Sequence, residues 1–338
     1  MSWFEKLTGF RELGYAQTQA KFEVIGNRLH SRVNGCSWQI GELETPSLAE
    51  LRLRAASVRE ATRGALRVHN IAADAYQLHT WPEVNGALVQ VASQFNLLEM
   101  PGYHVIPEDG VSDYEHDLTQ GPACARAAGA ATIYRNYFAP VGDQIGQTRA
   151  RQIDTLADLR AALPRGDEIE MRNGYALATP DILHAIDTRL ADLSEAERDR
   201  LRTLLRIGLH HDVDVTAVGS LQGQRVSQAY CAALPVNYNH GTDPAMWASF
   251  ARLVLEAAYE ATVHAAVVNA NRVGGSHRVY LTLVGGGVFG NRRDWILGAI
   301  RRALDLVRGQ ALEVWLVSYG SVPDDLLMLA NEYDHHRT

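Results

Sequence analysis

Five carboxylates crowd into residues 107–117 of this chain: Glu108, Asp109, Asp113, Glu115 and Asp117. Two of them facing one pocket would bind a cation or a guanidinium, or orient an attacking water. Asp109 and Asp117, one near each end of the run, are the expected pair. The same run also suits a solvated loop, so its chemistry depends on its neighbours.

One neighbour comes directly after it, Thr119-Gln120-Gly121-Pro122-Ala123-Cys124-Ala125. Proline is favoured in the first turn of a helix, where its missing N–H would be unpaired anyway. The free N–H groups beside it and the positive end of the helix dipole attract an anion. Small residues at 123–129 allow close packing. The second neighbour is distant in sequence: the strand-like run Val279-Tyr280-Leu281-Thr282-Leu283-Val284 leads into Gly285-Gly286-Gly287-Val288-Phe289-Gly290-Asn291. Glycines at the carboxyl end of a strand permit close backbone approach to a ligand. Successive N–H groups there suit a phosphate or diphosphate, and Phe289 is placed to cover a ribose or a ring. Either segment would also serve as an ordinary turn between elements.

The elements that must hold these loops are legible as patterns. Short β-branched runs at 67–72, 86–92, 205–209, 212–216, 228–236, 279–284 and 311–317 read as strands. Helices are expected over 122–134, within 150–164 and 181–206, from about Pro244 with Trp247, Phe250, Val254 and Ala257 on one stripe, and over 293–308. Strand, helix, strand, helix, strand over the last hundred residues implies parallel pairing with helical crossovers. Residues 1–30 read as amphipathic helix. Ser47 and Glu50 form a capping box for another helix.

The chain has 338 residues, is 46% hydrophobic and 21% charged, and carries a formal charge of −7. That suits one large α/β domain and disfavours a general nucleic-acid binder. Cys36, Cys124 and Cys231 are too scattered for a disulfide framework or a structural zinc site. His210, His211, Asp212 and Asp214 alternate across a strand and do not converge on a metal, so surface histidines at a strand end are expected. His335 and His336 fall in a polar tail. No signal peptide or apolar span is read, so a cytoplasmic location and no membrane partner are expected.

Together the motifs QFNLLEM (94–100), YEHD (114–117), TQGPACA (119–125), VSQAYCAALPVNYN (226–239) and LVGGGVFGN (283–291) resemble a macrodomain, and within it the divergent group typified by the Legionella effector MavL. The resemblance implies a three-layer α/β/α sandwich with a mixed central sheet over residues 66–322, an N-terminal helical extension over 1–65 and a tail over 323–338. It implies an ADP-ribosyl hydrolase that releases ADP-ribose from arginine with paired aspartates, for which Asp109 and Asp117 are the choice and Asp113 the third candidate. Its partners would be ADP-ribose and a mono-ADP-ribosylated protein, and it would need no metal or cofactor. Asp74 would accept the adenine amino group and Asn96 would bind the distal ribose. Thr119, Gln120 and Gly121, with Gly285, Gly286, Gly287, Val288, Gly290 and Asn291, would form the diphosphate loops, and Phe289 would pack on the distal ribose. The usual glycine-rich catalytic loop is replaced by the acidic 101–118 insertion, and no Gln-Glu-Glu signature is present. A non-catalytic ADP-ribose reader, a hydrolase of another ADP-ribose adduct and a phosphate-binding structural module remain as alternatives.

Overall fold

Alternating apolar residues in the short strands build the centre of the molecule. The computed structural model describes residues 1–239 and 241–333. Seven strands form the main sheet: β1 (Glu42–Glu44), β2 (Arg67–Ala72), β3 (Leu88–Ala92), β4 (Gly208–Asp214), β5 (Arg225–Cys231), β6 (Arg278–Leu281) and β7 (Glu313–Ser318). Their spatial order is β1-β4-β5-β3-β6-β7-β2. The five strands from β5 to β2 are parallel, while β4 runs antiparallel to both β5 and β1, so the sheet is mixed.

Period-two alternation sorts the side chains into two layers. Leu88, Ala229, Cys231, Val279, Leu281, Val314 and Leu316 face one core. There they meet α1 (Leu48–Val58), α4 (Pro180–Asp192), α6 (Ala248–Ala270) and α7 (Arg293–Leu306). Val89, Val91, Val226, Tyr230, Tyr280 and Val317 face the other core, under the small residues Ala123, Cys124 and Ala127 of α2 (Gln120–Ala127). The fold is a three-layer α/β/α sandwich. A break at Ala128 separates α2 from α3 (Gly129–Tyr137), and α5 (Glu195–Arg202) follows α4.

The N-terminal region departs from the expected helical extension. Only Trp3–Thr8 and Tyr15–Gln19 are helical. Phe22–Ile25, Arg28–Ser31 and Ser37–Gln39 make an antiparallel meander, and β1 joins the main sheet. The capping box at Ser47 and Glu50 forms as read. Leu48 and Leu51 of α1 belong to the main core, so residues 42–58 are structurally continuous with the sandwich. At the other end, α8 (Asp324–Asn331) buries Leu326 and Leu329, and Tyr333 is buried beyond it. His335 and His336 lie outside the described residues.

Two readings of detail change. Helix α2 starts at Gln120, with Thr119 as its cap, so Pro122 is the third helical residue and not the first. His210 and His211 are buried, not surface residues: His211 Nε2 meets Glu44 Oε1 at 3.0 Å, and His210 packs beside Tyr134. The added strand β1 covers what would have been an exposed sheet edge. Among the described residues no helix is long and apolar enough to cross a membrane.

Candidate active site

Strands β3 and β6 pair only through Leu88–Val279 and Val89–Tyr280, then splay apart. Ligands in open α/β sheets bind where strands part at their carboxyl ends. The Gln120 side chain takes the place of the missing strand partner. Its Oε1 accepts the Ala92 N–H at 2.8 Å, and its Nε2 donates to the Gln90 carbonyl at 2.8 Å. This wedge draws the start of α2 onto the end of β3. Gly121 is required there, because a Cβ would lie 2.0 Å from the Ala92 carbonyl oxygen.

The glycine loop rises from the other side of the gap. Gly285 has φ +76°, and a Cβ on it would stand 2.4 Å from the Ala233 Cβ. Asn291 is buried and fixes the loop base, its Nδ2 donating to the Leu234 carbonyl at 2.8 Å and its N–H to the Gly285 carbonyl at 2.9 Å. The N–H groups of Gly287, Val288 and Phe289 have no acceptor among the described residues. Consecutive free N–H donors suit an anion where they converge.

Between the two loops lies a cleft of about 720 Å³, its solvent-open mouth included. It is lined by Asp117, Thr119, Gln120, Gly121, Gly285, Gly287, Val288 and Phe289, among others. The two separated loops therefore meet. Gly286 is exposed at the loop tip, while Gly290 packs on Asn237; neither lines the cleft.

The three aspartates are not brought together. Asp117 lines the cleft, its Oδ1 accepting the Thr119 N–H at 2.8 Å and the Thr119 hydroxyl at 2.6 Å. Asp109 instead accepts the Ile106 N–H and borders a separate polar cleft with Tyr103, Arg149 and Arg172. Asp113 is exposed in the short helical turn Ser112–His116 and borders neither cleft. The loop is irregular, so an eight-residue spacing carries no facing information.

Asn96 is also committed elsewhere. It is buried, donates from Nδ2 to Gln152 Oε1 at 2.8 Å and accepts the Leu98 N–H at 3.1 Å. Asp74 is exposed and caps the short helix Ala75–Leu78 through its Oδ1, 2.9 Å from the Gln77 nitrogen. It does not border the cleft.

Three further residues of the cleft carry no role in the sequence reading, although Glu99 and Tyr238 lie within the motifs quoted for it. Tyr175 comes from a hairpin of Glu170–Arg172 and Tyr175–Leu177, whose Asn173-Gly174 turn is a recognised hairpin signal. Tyr238 lies in the turn after β5. Glu99 sits in the wall at 1% exposure, held by Arg135 Nη2 at 3.1 and 3.2 Å. Burial pushes the Glu99 carboxyl up to about 7, and the Arg135 guanidinium offsets this only in part. Arg135 also lies over the Tyr230 ring, 3.9 Å from its centroid. Among the described residues no group of three His, Cys, Asp or Glu is placed to hold a metal ion.

No protein-family model matches the chain, and no protein of curated function matches its sequence. Its fold is similar to solved structures of poly(ADP-ribose) glycohydrolases. A point mutant of the enzyme from Deinococcus radiodurans in complex with ADP-ribose aligns with a TM-score of 0.46 at 13% identity, over 95% of this chain and 96% of that one. The enzyme from Thermomonospora curvata bound to the inhibitor ADP-HPD aligns with a TM-score of 0.44 at 12% identity, over 90% and 93%. Likeness at this level assigns neither a substrate nor an activity to the chain.

Proposed function

We propose that the chain is an ADP-ribosyl hydrolase of the MavL-type macrodomain group, cleaving the N-glycosidic bond between ADP-ribose and an arginine side chain. The observation that carries this reading is the convergence of the Gly285–Phe289 loop and the start of α2 on one cleft, with the Asp117 carboxylate at its wall. The free N–H groups of Gly287, Val288 and Phe289 would take the diphosphate, with no metal in the scheme. The distal ribose would then lie against Phe289, near Asp117. Asp74, whose second carboxylate oxygen has no donor among the described residues, would take the adenine amino group.

Water adds to the anomeric carbon as the C–N bond breaks through an oxocarbenium-like state; the bonding pair leaves on nitrogen, and the departing guanidine takes up the proton the water sheds. Guanidine leaves as the neutral species only if the guanidinium stays protonated during departure. A carboxylate that grips the guanidinium keeps it cationic and oriented. Asp117 Oδ1 is occupied by Thr119, leaving Oδ2 for that contact. Asp109 borders another cleft, so the reading rests on Asp117.

That separation of Asp109 from Asp117 favours a second reading, a reader that binds ADP-ribosylated arginine without cleaving it. Parallel incubation with ADP-ribosyl-arginine, -serine and -glutamate peptides, with release followed by mass spectrometry, separates the two. Selective release from arginine supports hydrolysis. ADP-ribose binding without release from any peptide supports the reader.

A further inference from the structure

Tyr175, Tyr238 and Phe289 come from the hairpin, the turn after β5 and the glycine loop, yet their rings meet in one corner of the cleft. Ring centroids are 5.1 Å apart for Tyr175–Tyr238, 5.3 Å for Tyr175–Phe289 and 5.4 Å for Tyr238–Phe289. Core packing alone does not demand the cluster, because Tyr238 and Phe289 are half-buried at the cleft wall. Tyr175 is fixed from behind by its hydroxyl, which donates to the Met100 carbonyl at 2.7 Å.

The electrostatics of the cleft are one-sided. Among the described residues no Lys, Arg or His borders it, and of its two lining carboxyl groups Glu99 is paired with Arg135, which leaves Asp117 as the carboxylate without a cationic partner. The Asp117 charge reaches both phenols, adding to burial in raising the Tyr175 and Tyr238 pKa values. An anionic ligand can use the backbone donors of the glycine loop. The aromatic corner with its carboxylate suits a cation instead.

We propose that Tyr238, backed by Tyr175 and Phe289, forms with Asp117 a subsite for an alkyl guanidinium, and that Tyr238 is a specificity-determining residue. A guanidinium is planar and weakly hydrated, so it stacks on aromatic faces while donating a fork of N–H groups to a carboxylate. An ammonium on the same alkyl chain is a compact, strongly hydrated charge and gains less. The inference rests on the ADP-ribosyl-arginine reading and adds to it the residues that select the acceptor side chain.

The test uses agmatine and 1,4-diaminobutane, dications that differ only in a guanidinium against an ammonium at one end, as probes of the full chain, with affinity read by ligand-observed NMR and ADP-ribose titrated separately by calorimetry. Agmatine is expected to bind about tenfold more tightly than 1,4-diaminobutane. Tyr238→Leu, which keeps apolar bulk but removes the π face, is expected to weaken agmatine about tenfold and ADP-ribose by clearly less than that. Tyr238→Phe is expected to recover most of that loss. Equal binding of the two amines to the unmodified chain, or no binding of agmatine, overturns the subsite without any variant. Unchanged agmatine affinity in Tyr238→Leu overturns the role of Tyr238. Failure of ADP-ribose to bind, with agmatine behaving as expected, overturns the ADP-ribosyl reading and keeps the guanidinium subsite.

Discussion

The Glu12 carboxylate accepts the Ser112 N–H at 2.6 Å, joining the N-terminal segment to the acidic loop across a hundred residues. It also accepts the Val111 N–H at 2.9 and 3.0 Å and the Tyr137 hydroxyl at 2.7 Å. Trp3 adds its indole N–H to the Ser112 carbonyl and its backbone N–H to Glu115, both at 3.0 Å. From the inner side, the Tyr114 hydroxyl accepts the Glu99 N–H at 3.0 Å. The loop that ends in Asp117 is therefore held on both flanks, which gives residues 1–20 a role in the site.

Glu12→Ala should loosen that loop. Each backbone N–H or hydroxyl left buried without a partner costs about 1–3 kcal/mol. The expected result is faster amide exchange at Val111 and Ser112 and a kcat on ADP-ribosyl-arginine that falls more than ADP-ribose affinity does. Glu12→Gln retains one acceptor oxygen and should recover part of the loss.

Gly121 and Gly287 should respond oppositely to alanine. At Gly121 the new Cβ meets the Ala92 carbonyl oxygen at 2.0 Å, whereas at Gly287 nothing lies within 4 Å. Overpacking costs about 1–3 kcal/mol. Gly121→Ala should lower the Tm and abolish ADP-ribose binding by pushing α2 away from β3. Gly287→Ala should leave the Tm unchanged. Thermal melts and calorimetry check both.

The buried Glu99–Arg135 pair predicts a large penalty for removing one partner. Glu99→Leu leaves the Arg135 charge without its carboxylate, and such losses run to about 3–5 kcal/mol. The pH dependence has a definite sign. Folding raises the Glu99 carboxyl from 4.5 to about 7, so the folded state holds its proton more tightly. The stability linked to that proton is complete below 4.5 and is lost as pH rises toward about 7. Denaturant unfolding across this window should show the unmodified chain losing stability relative to Glu99→Gln as pH increases.

Asp74 offers a separation of roles. Serine caps a helix about as well as aspartate, so Asp74→Ser should leave the Tm unchanged. Loss of the carboxylate should still weaken ADP-ribose binding by about tenfold, in keeping with a charge-assisted hydrogen bond to an amino group. Equal affinity for ADP-ribose in both proteins would limit Asp74 to capping.

Much of this architecture was legible in residue types. The β-branched runs and helical stripes marked the parallel half of the sheet, because a buried strand and a core-facing helix each leave a period in the sequence. The two loops that line the cleft were marked by glycines whose missing Cβ atoms the fold needs at Gly121 and Gly285. The meander was misread although Gly26-Asn27 lies between paired Ile25 and Arg28, the spacing of a two-residue hairpin turn. Strand β1 is three residues long, with two glutamates, and only its pairing with β4 reveals it. Tyr175, Tyr238 and Glu99 escaped because each is a single residue whose partners are distant in the chain. The facing of Asp109 away from Asp117 was equally invisible, since an irregular loop has no period to read.

The most direct test of the central claim compares Asp117→Asn with the unmodified chain on an ADP-ribosyl-arginine peptide, measuring single-turnover release and ADP-ribose affinity together. The account predicts a loss of roughly 10²–10³-fold in the release rate, the scale of removing one electrostatic contact to the reacting group, with ADP-ribose affinity nearly unchanged. Release at the unmodified rate by Asp117→Asn would contradict it.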